Sequence, residues 1–336
     1  MAPRVLTFYI HVYFVFIAFI NYRIPSLKMG GMELNREKIE FEIMLAHKIL
    51  FYSPDKLYRI VWVANPYVGC THRCVYCYAA SQSYYHWGDP LNFWKKIIVR
   101  PNAPSLLARE LSDMNNRKEI VCMSTMCDPY NPGEQDFRVT RGMLLVLSQR
   151  GIPCHIITKS PLVVNDADLL QEIGKKSWCA VTFSTAFSED LSNILEPNAP
   201  NLSERFSAMS YLSTRGITTG ATIAPIIPGL NDDFDELEKI VARVRASGGT
   251  YIVYEFLSLH HGQAERLHMF LSKKMKTIAT MVKDTYKGMR YPPENYVNEV
   301  KEKIMILAKK YHLLISPPEY VPYKMLSLDS FAKSQK

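Results

Sequence analysis

Tyr58–Ala79 reads YRIVWVANPYVGCTHRCVYCYA, and the rest of the chain is interpreted outward from it. Tyr58–Ala64 is a β-branched and aromatic run, which predicts a strand. Asn65-Pro66 ends it, and a loop follows in which Cys70, Cys74 and Cys77 are spaced C-x3-C-x2-C. Three thiolates on one short loop can converge on one iron–sulfur cube. A structural zinc site takes four ligands, usually in two spaced pairs. His72 is available as a fourth, but four ligands within eight residues would crowd a tetrahedral ion. A ferredoxin run needs a further nearby cysteine, and none follows Cys77 closely. A cube with three protein ligands leaves one iron open, by the logic that separates open catalytic metal sites from closed structural ones.

The 336 residues suit one large domain or two small ones. A hydrophobic content of 48% with 12% aromatics excludes a disordered or low-complexity chain. Seven cysteines, an odd number, argue against a closed disulfide framework and for a reducing, cytoplasmic setting. The net charge of +8 permits nucleic acid as a partner without requiring it. Residues 262–336 hold 14 Lys and Arg against 7 Asp and Glu, hence +7 of the total. A solvated helical face and a nucleic-acid-facing surface both fit that excess. At the other end, Val5–Ile20 is uncharged over sixteen residues, short of the roughly 20 that span a bilayer. An upstream extension ahead of a start at Met29 or Met32, a membrane anchor and a signal peptide are the three readings. Membrane association is expected only if residues 5–20 are translated. The expected organisation is a hydrophobic extension over 1–32, a barrel over 33–261 and a basic helical segment over 262–336.

Beyond the first strand, β-rich runs alternate with helical patterns. Strands are predicted at Glu119–Thr125, Cys154–Thr158, Ala180–Ser184, Thr218–Ile227 and Tyr251–Leu259. Helices are predicted at Ser105–Asn115, Thr140–Arg150, Asp166–Lys175, Leu202–Thr214 and Asp233–Ala246, several with a glycine stop. Such alternation predicts βαβ units and a parallel sheet, here an α/β fold of partial (β/α)6 TIM type. After Leu259 the pattern is helical, at Ala264–Lys287 and Glu294–Tyr311.

C-x3-C-x2-C after the first barrel strand resembles the radical S-adenosylmethionine (radical SAM) superfamily. NPYVGCTHRCVYCYA further resembles its spore photoproduct lyase-like, DNA-repair photolyase-related group. CDPYNPGE at Cys127–Glu134, ITKSPLVVNDADLL at Ile157–Leu170, LEPNAP at Leu195–Pro200 and APIIPGLND at Ala224–Asp232 agree in order. The resemblance implies a [4Fe-4S] cluster on Cys70, Cys74 and Cys77, with S-adenosylmethionine as cofactor. It implies reductive cleavage of that cofactor, hydrogen-atom abstraction from an unidentified substrate, and an external electron donor of ferredoxin or flavodoxin type. A monomer is expected.

Position by position, the resemblance implies that Tyr76 packs on the adenine and that Thr125 and Asp128 meet the cofactor's amino group. Lys159 would pair with its carboxylate and Ser184 would reach its ribose. Tyr78, Tyr130, Glu196 and Arg205 are candidate substrate residues, with plain packing and a structural ion pair as the alternatives. Thr125 stands where the lyase has its hydrogen-donating cysteine, so lyase chemistry does not transfer directly. Cys127, two residues on, is the candidate catalytic thiol. The competing functional classes are an iron–sulfur nucleic-acid-binding module without turnover and a zinc-binding structural protein.

Overall fold

The computed structural model of the protein describes residues 27–34, 37–81, 92–112 and 119–322. The uncharged run at 5–20, with its three readings, lies outside the described residues. In chain order the strands are β1 (Leu27–Leu34), β2 (Glu37–Ile43), β3 (Leu50–Asp55), β4 (Ile60–Ala64), β5 (Tyr67–Val68) and β6 (Lys96–Val99). They continue with β7 (Val121–Met123), β8 (Cys154–Thr158), β9 (Cys179–Ser184), β10 (Thr218–Ile226) and β11 (Tyr251–Phe256).

The larger sheet has the order β11-β10-β9-β8-β7-β4-β3. Its six strands from β4 to β11 run parallel, and β3 closes one edge antiparallel to β4. This is the open (β/α)6 barrel expected from the alternation. The connecting helices are α1 (Ala103–Ser112), α2 (Val139–Arg150), α3 (Ala167–Lys176), α4 (Leu202–Ser213) and α5 (Phe234–Ala246). Their ends follow local chemistry. Gly151 takes φ +61° after α2 and donates its N–H to the free carbonyls of Leu147 and Ser148. Asn201 and Glu204 form a reciprocal capping box at the start of α4.

The barrel interior is plugged below by Tyr58, Ile60, Cys122, Ala180, Tyr251 and Val253. His155 is buried among them, 2.7 Å from Thr182 Oγ1 and 2.9 Å from the Tyr58 carbonyl. Burial lowers its pKa to about 4, so the ring is neutral and its polarity is met by hydrogen bonds. With the lower barrel filled, the cavity lies towards the C-terminal strand ends, where β/α barrels carry their sites.

The smaller sheet, β1-β2-β6-β5, was not foreseen. β1 runs across the expected boundary between residues 32 and 33. The sheet's two-residue strand β5 delivers the chain directly into the cysteine loop. The expected helix over Ala264–Lys287 is two, α6 (Gln263–Lys274) and α7 (Lys276–Tyr286), broken where Met275 takes φ −144° and ψ 64°. After α8 (Glu294–Lys310) the chain returns to the barrel, where Ile252 N–H donates to the Leu314 carbonyl at 2.8 Å. Among the described residues no helix is long and apolar enough to cross a membrane.

Candidate active site

At the C-terminal ends of the parallel strands lies a cavity of about 270 Å3. Cys70, Cys74, Cys77, Tyr76, Tyr78, Thr125, Cys127, Asp128, Lys159 and Ser184 all line it. Residues as far apart in sequence as 70 and 184 therefore meet because successive strand ends are neighbours around one rim.

The cysteine loop is built to a fixed shape. Gly69 has φ +91°, and a Cβ there would stand 2.3 Å from the Lys96 carbonyl oxygen, so only glycine brings the chain this close to β6. Cys70 N–H donates to the Phe93 carbonyl at 2.9 Å, and Val75 N–H to that of Leu195 at 2.9 Å. Asn198 N–H donates to the His72 carbonyl at 3.2 Å. Each such bond is worth a net ~0.5–1.5 kcal/mol, and together they hold a segment with little regular structure of its own.

All three loop thiols are free. Burial pushes Cys70 well above the ordinary thiol value and Cys74 up to about 12. Three thiols lining one cavity are a donor set suited to an iron–sulfur cube with an open iron. Among the described residues no three His, Cys, Asp or Glu side chains stand close enough together to share a single metal ion. A mononuclear tetrahedral zinc site would need its sulfurs roughly 3.8 Å apart, given Zn–S bonds of about 2.3 Å.

Cys127 faces the same space from beyond β7. Its Sγ donates to the Tyr67 carbonyl at 3.1 Å and lies 3.0 Å from Ser124 Oγ. Burial pushes this thiol up to about 12, so it is held as neutral S–H. The turn that presents it is organised by Asn65 Oδ1, which accepts from Ser124 Oγ at 3.1 Å and Thr125 N–H at 3.2 Å.

Asp128 is committed to the scaffold. Its carboxylate accepts from Tyr130 N–H, Thr158 Oγ1 and Lys159 N–H at 2.9, 2.7 and 2.8 Å, tying the turn after β7 to the end of β8. Lys159 Nζ donates to Ser184 Oγ at 2.8 Å and stands 3.6 Å from Glu196 Oε1. Burial opposes the Lys159 ammonium, but its acidic neighbours, Glu196 foremost and Asp128 with it, together outweigh burial, and the pKa ends above the ordinary lysine value. Tyr76 donates its OH to Glu196, and its ring packs 5.6 Å from that of Phe187.

Three candidates do not line the cavity. Tyr130 is 2% exposed, and its OH donates to Asp166 Oδ2 at 3.0 Å, because the turn after β7 folds it inward beneath the rim. Glu196 and Arg205 are 2% and 1% exposed and pair at 2.5 Å. Burial alone would raise the Glu196 pKa, but Lys159 and Arg205 hold it at about 2. These two form the structural ion pair that was the alternative to substrate contact, and they brace Lys159 and Tyr76 from behind.

Other cavity residues escaped the sequence reading. Asp55, Glu255 and Gln263 line it, and Gln263, joined by Arg266 from outside the lining, reaches the cysteine loop from α6. Glu255 had one usable signal, an acid within the apolar strand YIVYEF.

The radical SAM superfamily model matches residues 64–244, and the chain belongs to that superfamily. An uncharacterised protein of Methanocaldococcus jannaschii is 30% identical over 79% of this chain and 95% of its own. The radical SAM Nα-GlyT isomerase of Pseudomonas phage M6 is 22% identical over 61% of this chain and 42% of its own. Among solved structures, spore photoproduct lyase with bound AdoMet and dinucleoside spore photoproduct has the same fold. It superposes with a TM-score of 0.58 over 76% of each chain, at 13% identity.

Proposed function

We propose that Cys70, Cys74 and Cys77 hold a [4Fe-4S] cluster, and that the protein is an enzyme abstracting hydrogen from a nucleic-acid component. The observation that carries this reading is the convergence of three free thiols, Lys159, Ser184 and a neutral Cys127 on one cavity. When bound, the cluster supplies one electron that splits S-adenosylmethionine into methionine and a hydrogen-abstracting 5′-deoxyadenosyl radical. Lys159 provides the ammonium that receives the cofactor's carboxylate, and Ser184 the hydroxyl beside it. Tyr76 and the barrel plug keep bulk water from the reacting end. Cys127, held as S–H, is placed to return a hydrogen atom to a substrate radical. A ferredoxin- or flavodoxin-type protein delivers the electron. The nucleic-acid class is supported by the +7 of the C-terminal segment and by the dinucleoside bound in the structural relative.

The test is anaerobic reconstitution with iron and sulfide, followed by dithionite reduction and product analysis. About four irons per chain and 5′-deoxyadenosine are expected, with production stimulated by irradiated DNA or by RNA. Replacing any one of Cys70, Cys74 and Cys77 with Ala should remove both properties. Cys127→Ala should keep iron and cofactor cleavage while losing substrate turnover. Retention of iron and cleavage in the three loop variants would refute the cluster assignment. Salt-sensitive nucleic-acid binding without 5′-deoxyadenosine would instead identify a binding module.

A further inference from the structure

Arg266, in the first turn of α6, closes on the backbone of the cysteine loop. Its Nε donates to the Val75 carbonyl at 3.2 Å, its Nη1 to that of Ala80 at 3.2 Å and its Nη2 to that of Cys77. The guanidinium also lies 5.2 Å from the centroid of the Trp94 ring, a residue packed with Cys70 and Cys77 in one apolar cluster. One helical turn earlier Gln263 Nε2 donates to the Tyr76 carbonyl at 2.6 Å. The carbonyls of residues 75, 76, 77 and 80 therefore all end on two side chains of one helix. A loop with few bonds of its own needs such partners, since a buried carbonyl left unpaired is costly.

The choice of residue carries more than packing. A planar fork with fixed donors can hold three carbonyls at once, whereas a lysine offers one mobile point charge. The fork also sets a permanent positive charge against the backbone of Cys77. A nearby cation favours the more negative, reduced state of any redox group. For a unit charge within about 10 Å at an effective dielectric near 20, the ratio of reduced to oxidised forms changes by roughly tenfold or more.

Resting on the cluster assignment proposed above, we propose that Arg266 is a positioning residue that fixes the cluster-binding loop and raises the cluster's reduction potential. The potential distinguishes this role from simple support, because a charge-retaining variant keeps it even when the clamp is lost.

The experiment compares the wild-type chain with Arg266→Lys and Arg266→Met. Potentiometric titration of the reconstituted proteins is followed by electron paramagnetic resonance, and amide hydrogen exchange over residues 75–81 is measured in the iron-free proteins. Arg266→Met is expected to lower the ratio of reduced to oxidised cluster at least tenfold at fixed potential, about 59 mV for one electron. Arg266→Lys is expected to keep the wild-type potential while its loop amides exchange at least about tenfold faster, the mark of local opening. A wild-type potential in Arg266→Met, or wild-type exchange in Arg266→Lys, overturns the proposal. Should Arg266→Met hold no iron, its loop exchange decides, and rates equal to wild type again overturn it. Failure of the underlying reading is separate, because it shows as a wild-type protein without iron while the exchange arm still tests the clamp.

Discussion

Arg205→Met tests how the cavity is braced. Arg205 donates to the carbonyls of Pro200 and Ser184 at 2.8 Å each and to Glu196 Oε2 at 2.5 Å. Methionine matches much of its length and none of its donors. Glu196 would then keep Lys159 at 3.6 Å, Ser192 Oγ at 3.1 Å and the Tyr76 hydroxyl, with the guanidinium gone. Removing one member of a buried ion pair costs ~3–5 kcal/mol, since the other charge is left poorly compensated. The acid side sets a ceiling of similar size, shared between Lys159, which remains, and Arg205. Holding Glu196 at about 2 rather than the usual 4.5 corresponds to about 3 kcal/mol of stability. Because the folded pKa is depressed, that stability is fully present above pH 4.5 and fades as pH falls towards 2. The assay is equilibrium urea unfolding at pH 7 and at pH 4, with equal slopes required before midpoints are compared. Arg205→Met should lose ~3–5 kcal/mol at pH 7 and less at low pH. Adding Glu196→Gln should recover none of the loss, because the buried Lys159 ammonium, 3.6 Å from Glu196, then loses its counter-charge. A loss below about 1 kcal/mol at pH 7, or a double variant more stable than Arg205→Met, refutes the reasoning.

Two further tests concern the cavity wall and the loop. Burial first, and Asp55 second, raise the Glu255 pKa to about 7 from the usual 4.5. The folded chain thus holds a proton there that the unfolded chain releases, so stability falls as pH rises from 4.5 to 7 and levels off above. Glu255→Gln should flatten that slope in urea midpoints across the window, and an unchanged slope counts against the assignment. Gly69→Ala places a methyl 2.3 Å from the Lys96 carbonyl at φ +91°, and should cost at least ~1–3 kcal/mol together with iron uptake. An effect within about 0.5 kcal/mol in urea unfolding would show that the loop entry is not constrained there.

The legible parts of the fold share one property, a local signal strong enough to stand alone. β8 was read to the residue because CHIIT is a buried apolar run, preceded by a glycine that ends α2 with φ +61°. β3, β5 and β6 carried no such signal. They are short or half-exposed; β5 and β6 pair across a long stretch of sequence, and β3 pairs with the adjacent β4. The break at Met275 was hidden for the converse reason. Both helices have strong helical patterns, and nothing between them is a glycine or proline.

The site divides along the same line. The three loop cysteines and Lys159 sit in local motifs that follow strands, so spacing, strand position and the family resemblance placed them on one rim. Tyr130, Glu196 and Arg205 occur in equally local motifs, yet tertiary packing turned them away from the cavity and into the scaffold. Sequence by itself determined the chemistry on offer: three clustered thiols after a strand, and a β/α alternation that brings strand ends together. Only the tertiary structure decided which polar groups face the cavity and which are spent as braces. A buried charge must find its partner wherever the fold provides one, and Arg266, about 190 residues from Val75 and Cys77, has no local signature of the carbonyls it holds.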